Sequence, residues 1–365
     1  MRSGALLAVG LSGKSLGGDE RRRLEALQPG ALLLRPRNVD DVDQVTELVA
    51  ELRRVLPEVV LAVDAEPGRV NTLEPLTGGA PAPAALAAGS ASLAYETGRW
   101  LGHAVALFDI DLDLAPVVDL DRGEERNALD GRTLGRDAEA VTGRARALLR
   151  GLQTAGVGGC LKHFPGLGGA TEDTHARGSA VYLPRKDLEQ DLQPFRELGE
   201  LAGVVMVGHA NYPAFDRDGR PATVSPVLLD EVLRREVGFG GVVLSDDLGM
   251  KALDGWGTIP ERAEAAFTAG CDLLLVGEDL AAAEAAAERL GVSELAERRA
   301  LAGERLARLR DSLRSLAVRH EQERLDAGVM RGFDLEEVVE KLGVLRESAE
   351  RQAAGRGEAE AAPAG

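Results

Sequence analysis

The sequence predicts a (β/α)8 barrel, and two observations predict it. Eight short apolar runs rich in Val and Leu recur along the chain with helical spacing between them, the pattern of parallel strands buried on both faces. Almost every run ends, on its C-terminal side, in charged or hydrogen-bonding residues. A barrel brings all such ends to one face, whereas the rival open, doubly wound sheet gathers only those near its switch point.

The runs are residues 5–10, 31–36, 59–64, 110–119, 157–164, 203–209, 241–247 and 272–279. Arg35, Arg37 and Asn38 close the second, Asp64 and Glu66 the third, and Asp119 the fourth. Lys162 and His163 close the fifth, His209 and Asn211 the sixth, and Asp246 and Asp247 the seventh. Between runs, residues 40–56 place Val42, Val45, Leu48, Val49, Leu52 and Leu56 on one helical face. Residues 137–154, 187–201 and 226–236 read likewise, the last opened by a Ser225 cap and a first-turn Pro226. A long charged amphipathic helix is expected over 293–316, ending a catalytic domain of residues 1–316. Residues 317–350 read as a charged helical extension, and the Ala-, Gly- and Glu-rich residues 351–365 as a disordered tail.

The chain has 365 residues, with 43 Lys and Arg against 60 Asp and Glu, for a net charge of −17. That balance argues against nucleic acid and anionic membrane surfaces as partners. Hydrophobic residues make up 44% but aromatics only 3%, so the core is built from Ala, Val and Leu. Cys160 and Cys271 lie in apolar runs and are expected as buried, inert thiols. The opening apolar run reads as a first strand rather than a secretion signal, and no stretch reaches the roughly 18 apolar residues of a membrane span. A cytoplasmic protein is expected.

Five histidines occur: His103, His163, His175, His209 and His320. His103 and His320 lie in helical stretches and read as structural. The other three fall at strand ends or just after. The segment from Lys162 to His175 is broken by Pro165, Gly166, Gly168 and Gly169, which lets the chain approach a ligand closely. Within it Asp173 and His175 stand two apart, and a carboxylate beside an imidazole can orient it and raise its basicity for acid/base work. An Asx-type turn with an incidental exposed histidine explains the same residues. Asp246 and Asp247 follow a buried strand; their side chains point opposite ways if the strand continues, so one can face the barrel mouth while the other caps the next element. Two other barrel chemistries also fit the residues. Lys162 would form a Schiff base, or His163, His175, His209 and Asp246 would bind a metal.

Lys162-His163-Phe164-Pro165-Gly166, then Asp173-Thr174-His175, then Ser245-Asp246-Asp247-Leu248-Gly249-Met250 resemble family 3 of the glycoside hydrolases, nearest its β-N-acetylhexosaminidases of the peptidoglycan-recycling type. The match extends over residues 1–300 and includes Val63-Asp64-Ala65-Glu66-Pro67-Gly68-Arg69-Val70, Leu114-Ala115-Pro116-Val117-Val118-Asp119, Gly131-Arg132-Thr133-Leu134-Gly135 and Met206-Val207-Gly208-His209. The resemblance implies a retaining exo-glycosidase acting through a covalent glycosyl-aspartate, with Asp246 as nucleophile and His175, paired with Asp173, as acid/base. Retaining hydrolases usually use two carboxylates, so the histidine is a departure from the general template. Asp64, Arg132, Lys162 and His163 fall on the family's sugar-holding positions, and Arg69 and His209 join them as substrate-binding candidates. The implied partner is a small saccharide, an N-acetylglucosaminide or muropeptide; no metal or organic cofactor is implied. The sequence departs from the family pattern at Leu167, Ala65, Pro67 and Thr174. A phosphorylase, another family 3 β-glycosidase and a catalytically impaired sugar-binding relative are the alternative readings.

Overall fold

The computed structural model describes residues 1–123, 129, 131–170, 178–326 and 334–361. The apolar runs form eight parallel strands: β1 (Leu7–Gly10), β2 (Ala31–Leu34), β3 (Val60–Val63), β4 (Leu112–Asp113), β5 (Gly158–Phe164), β6 (Gly203–Val207), β7 (Val242–Ser245) and β8 (Leu274–Leu275). Each pairs with its neighbour in the chain, and β1 pairs with β8. A parallel bridge between Leu244 and Leu273 joins β7 to β8, so the sheet closes as a barrel. The strands are buried almost throughout, by barrel-filling side chains inside and by helices outside.

Two strands are shorter than the apolar patterning predicts. The run over 110–119 is a strand only at Leu112–Asp113, because Pro116 has no N–H to give a neighbouring strand. Val118 N–H still reaches Lys162 O at 2.8 Å, so the run stays threaded toward β5. The eighth run stops at Leu275. Beyond it Gly277 adopts φ +44°, and a Cβ there would meet the Asp247 carboxylate at 2.8 Å.

Helices fall where the periodicity puts them. Val42–Val55 is capped by Asp41, which accepts from Gln44 N, and Ala138–Thr154 by Asp137, which accepts from Ala140 N. Arg185–Ala202 follows β5. Val227–Glu236 begins where Ser225 Oγ accepts from Leu228 N at 3.2 Å, and it is loosely wound, Val237 N–H reaching back to Val232 O. The β3–β4 connection carries Ala91–Ala106.

The expected boundary at residue 316 is no break in the backbone: one helix runs over Ala296–Asp326. It buries Ala302, Leu306, Leu309 and Leu313 against the barrel. Its Arg298 and Arg305 converge at 2.9 and 3.0 Å on Asp272, just before β8, and Arg234 meets the same buried carboxylate at 2.6 Å. A second helix, Leu335–Ala361, seats Val338 and Leu342 beside Trp100 and Leu101 of Ala91–Ala106. Its backbone runs on into the Ala-, Gly- and Glu-rich stretch that begins at residue 351. No described helix is long and apolar enough to cross a membrane.

Candidate active site

A cavity of about 360 Å³ opens at the C-terminal ends of the strands, a size suited to a small ligand. Arg35 reaches it from β2, Asp64 and Arg69 from beyond β3, Lys162 and His163 from β5, and Asp246 from beyond β7. Arg132 and Met206 complete its polar and apolar walls.

The turn after β3 is built to present carboxylates. Thr72 N–H donates to Asp64 O at 2.7 Å and Glu66 N–H to Val70 O at 2.9 Å, folding residues 64–72 back on themselves. Gly68, at φ +81°, makes the reversal; a Cβ there would press on Pro83 at 2.8 Å. On β5, the pairing register with β6 shifts between Leu161 and Phe164, at Lys162 and His163. Such an irregularity re-aims side chains at a barrel rim.

These two pieces interlock. Lys162 Nζ lies 2.8 Å from Asp64 Oδ1 and 2.6 Å from Glu66 Oε1. Arg132 forks onto Glu66, Nε to Oε2 at 2.9 Å and Nη2 to Oε1 at 2.6 Å. Burial works to lower the Lys162 pKa, but Asp64 and Glu66 outweigh it and hold the ammonium above its ordinary value. Burial likewise pushes Glu66 up, yet Lys162 and Arg132 bring its carboxyl down to about 2. Lys162 is therefore held as an ammonium and Glu66 as a carboxylate. An amine nucleophile needs the opposite, a depressed pKa, so this environment speaks against the Schiff-base alternative for Lys162.

His163 is fixed by Asp119. Its Nδ1 lies 2.8 Å from Asp119 Oδ2, and its backbone N–H donates to the same carboxylate, as does Leu167 N–H at 2.7 Å. Asp246 lines the cavity while its Oδ1 accepts from Asp247 N–H at 2.8 Å. Asp247 points elsewhere: Arg35 donates to its Oδ2 and Gly249 N–H to its Oδ1, each at 3.0 Å. The strand ends at Ser245, so it is the turn after β7 and not strand alternation that sends Asp246 to the cavity and ties Asp247 to Arg35 and Gly249. Burial raises the Asp247 pKa, against the pull of the Gly249 N–H and Arg35.

Of the candidates read from the sequence, Asp64, Arg69, Arg132, Lys162, His163 and Asp246 share this cavity. His209 does not join them. It is buried behind Asp247, with Nε2 at 3.0 Å from Asp247 O and Nδ1 at 2.6 Å from Thr223 Oγ1. One ring nitrogen thus meets the Asp247 backbone carbonyl and the other the Thr223 hydroxyl, which ties β6 to the turn after β7. Asp173 and His175 lie outside the described residues. Glu66 and Asp119 stand among the polar strand ends, but the sequence assigned them no role; their signal was position alone.

A family model described as the glycosyl hydrolase family 3 N-terminal domain matches residues 5–309. The chain is 37% identical over 297 residues to a β-hexosaminidase of Pseudomonas aeruginosa, covering 79% of this chain and 87% of that protein. It is 37% identical over 269 residues to a β-hexosaminidase of Neisseria meningitidis, covering 71% and 74%. Among solved structures it is similar to a family 3 β-N-acetylglucosaminidase from a Paenibacillus species, with TM-score 0.83 and 30% identity over 95% of this chain and 68% of that one. It is also similar to NagZ from Neisseria gonorrhoeae in complex with N-trifluoroacetyl-D-glucosamine, with TM-score 0.72 and 32% identity over 86% and 97%. With a closed barrel whose carboxylates, cations and imidazole meet at its C-terminal mouth, the chain belongs to glycosyl hydrolase family 3 and is a glycoside hydrolase.

Proposed function

We propose that the protein is a retaining exo-β-N-acetylglucosaminidase that removes terminal β-linked N-acetylglucosamine from peptidoglycan fragments in the cytoplasm. The observation that carries the reading is the shared cavity, with the Asp64–Lys162–Glu66–Arg132 cluster on one wall and Asp246 on another. Paired charges of both signs offer donors and acceptors to sugar hydroxyls without presenting a net charge to a neutral ring. The complex of NagZ with a glucosamine derivative supports the sugar assignment. The two cysteines, both free and buried, suit a reducing compartment.

In this mechanism an Asp246 oxygen attacks the anomeric carbon while the bond to the aglycone oxygen breaks. The aglycone leaves with a proton supplied by His175, whose ring Asp173 orients. His175 then takes a proton from water, the water oxygen attacks the same carbon, and Asp246 is released. Asp64, Lys162, Arg132, Arg69 and His163 hold the ring, and His163 keeps its orientation through Asp119.

Turnover of a chromogenic β-N-acetylglucosaminide, with a β-glucoside control, tests the activity. Trapping with a mechanism-based fluorosugar tests the nucleophile: a label on the peptide containing Asp246 is expected, and a folded, unlabelled protein sinks the mechanism. Added phosphate distinguishes hydrolysis from phosphorolysis through the product, free sugar or sugar 1-phosphate.

A further inference from the structure

Asp113 ends β4 directly beneath the sugar-holding cluster and has no part in the mechanism above. It is fully buried, paired in register with Val63 of β3 on one side and with Gly159 of β5 on the other. Its Oδ1 accepts from Ala65 N–H at 2.9 Å, between Asp64 and Glu66. Its Oδ2 is buried and meets no hydrogen-bond partner among the described residues.

Among the described residues no cation hydrogen-bonds Asp113. From the β3 side it faces Asp64 and Glu66; from β5 it faces Lys162 and the Cys160 thiol. On its own strand, Asp111 is held by Arg53 at 2.9 Å. Lys162 is shared between Asp64 and Glu66, and Arg132 forks onto Glu66. Both of these cations are thus already engaged, and with no hydrogen bond reaching Oδ2 among the described residues an ionised Asp113 would hold a buried negative charge with no direct cationic partner there. Such a charge is far more costly to bury than a neutral carboxyl.

We propose that Asp113 is a positioning residue for sugar binding that works as a neutral carboxylic acid: its Oδ1 holds the Asp64–Glu66 turn in place, and its ionisation draws Lys162 away from Asp64 and weakens the hold on the ring. The inference rests on the sugar-binding reading of this cavity. Burial pushes the Asp113 carboxyl up to about 7, which places the transition inside the working range.

The test is the pH dependence of competitive inhibition by N-acetylglucosamine, for the wild-type protein and for Asp113→Asn. Asparagine keeps the Oδ1 acceptor for Ala65 N–H and cannot ionise. If only the neutral form binds, the wild-type inhibition constant rises about tenfold from pH 6 to pH 8. In Asp113→Asn it stays flat and equals the wild-type value at pH 6. An equal rise in both proteins, or none in the wild type, overturns the proposal. Infrared spectroscopy supplies a readout independent of the sugar. Other raised carboxyls such as Asp191 absorb at pH 5 too, so the readout is the wild-type minus Asp113→Asn difference spectrum (Asp113→Ser should asparagine not fold), in which a protonated C=O stretch should stand at pH 5 and fade through neutrality. No such difference band at pH 5 also overturns the proposal. If N-acetylglucosamine fails to bind the wild type at any pH, the sugar assignment falls and with it the binding role, while the infrared band still decides whether Asp113 is neutral.

Discussion

Asp119 holds His163 twice: one carboxylate bonds the ring Nδ1 at 2.8 Å and receives the backbone N–H of the same residue at 3.1 Å. Side chain and backbone of His163 are thereby locked to one group that is itself buried. Asp119→Asn keeps an acceptor but loses the charge and one of two acceptor oxygens. Losing a charge-assisted bond of about 1.5–3 kcal/mol corresponds to a 10- to 150-fold fall in kcat/KM. Steady-state kinetics on an aryl β-N-acetylglucosaminide, beside a thermal melt, checks this. A loss of stability with kcat/KM unchanged would assign Asp119 to the fold alone.

Lys162→Met removes the cation that Asp64 and Glu66 share. One-sided removal of a buried pair costs about 3–5 kcal/mol, because a carboxylate is left uncompensated. The expected outcome is a lowered Tm together with a KM raised more than kcat is lowered. Lys162→Arg is not expected to restore it, since a planar fork does not fit between two carboxylates arranged around one ammonium.

The same raised ammonium fixes a sign for pH. A lysine whose folded pKa exceeds its unfolded value contributes stability that is lost only as pH rises through the folded value. No alkaline limb from Lys162 is therefore expected below about pH 10. A KM profile breaking between pH 9 and 10 only in proteins that keep Lys162 would contradict the geometry.

Asp113 has the opposite consequence for stability. Its carboxyl, pushed up to about 7 by burial, favours the folded state most when neutral in both states, below about pH 4. The wild type loses that contribution between roughly pH 4 and 7 and then levels off. The Tm advantage of Asp113→Asn over wild type should grow across that interval and stay constant above it. Melts at four pH values decide this; a difference independent of pH would mean that Asp113 does not titrate.

Leu342 is fully buried between the helix Leu335–Ala361 and the barrel wall at Trp100 and Leu101. Leu342→Ala should cost about 2–5 kcal/mol, the usual price of a buried leucine truncated to alanine. The effect belongs in the melt and not in kcat/KM, because the contact lies outside the cavity lining. An unchanged Tm would show that the helix leaves the barrel in solution.

Much of this protein was legible from its sequence because the relevant physics is local. Period-two and period-3.6 burial mark strands and helices, capping residues mark helix starts, and polar groups at strand ends mark the rim. Those signals placed the barrel and, with the family resemblance, Asp64, Lys162, His163, Arg132 and Asp246 at one mouth. Tertiary structure alone decided what each polar group faces. His209 and Lys162 are both strand-end residues, yet one turns both ring nitrogens to Asp247 and Thr223 while the other reaches across the barrel to Asp64 and Glu66. Asp113 and Asp119 share one apolar run, and only three-dimensional packing left an oxygen of the first without a hydrogen-bond partner among the described residues and wrapped the second around His163. Charge pairing depends on distances between residues far apart in the chain, and the order of residues along one strand does not contain them.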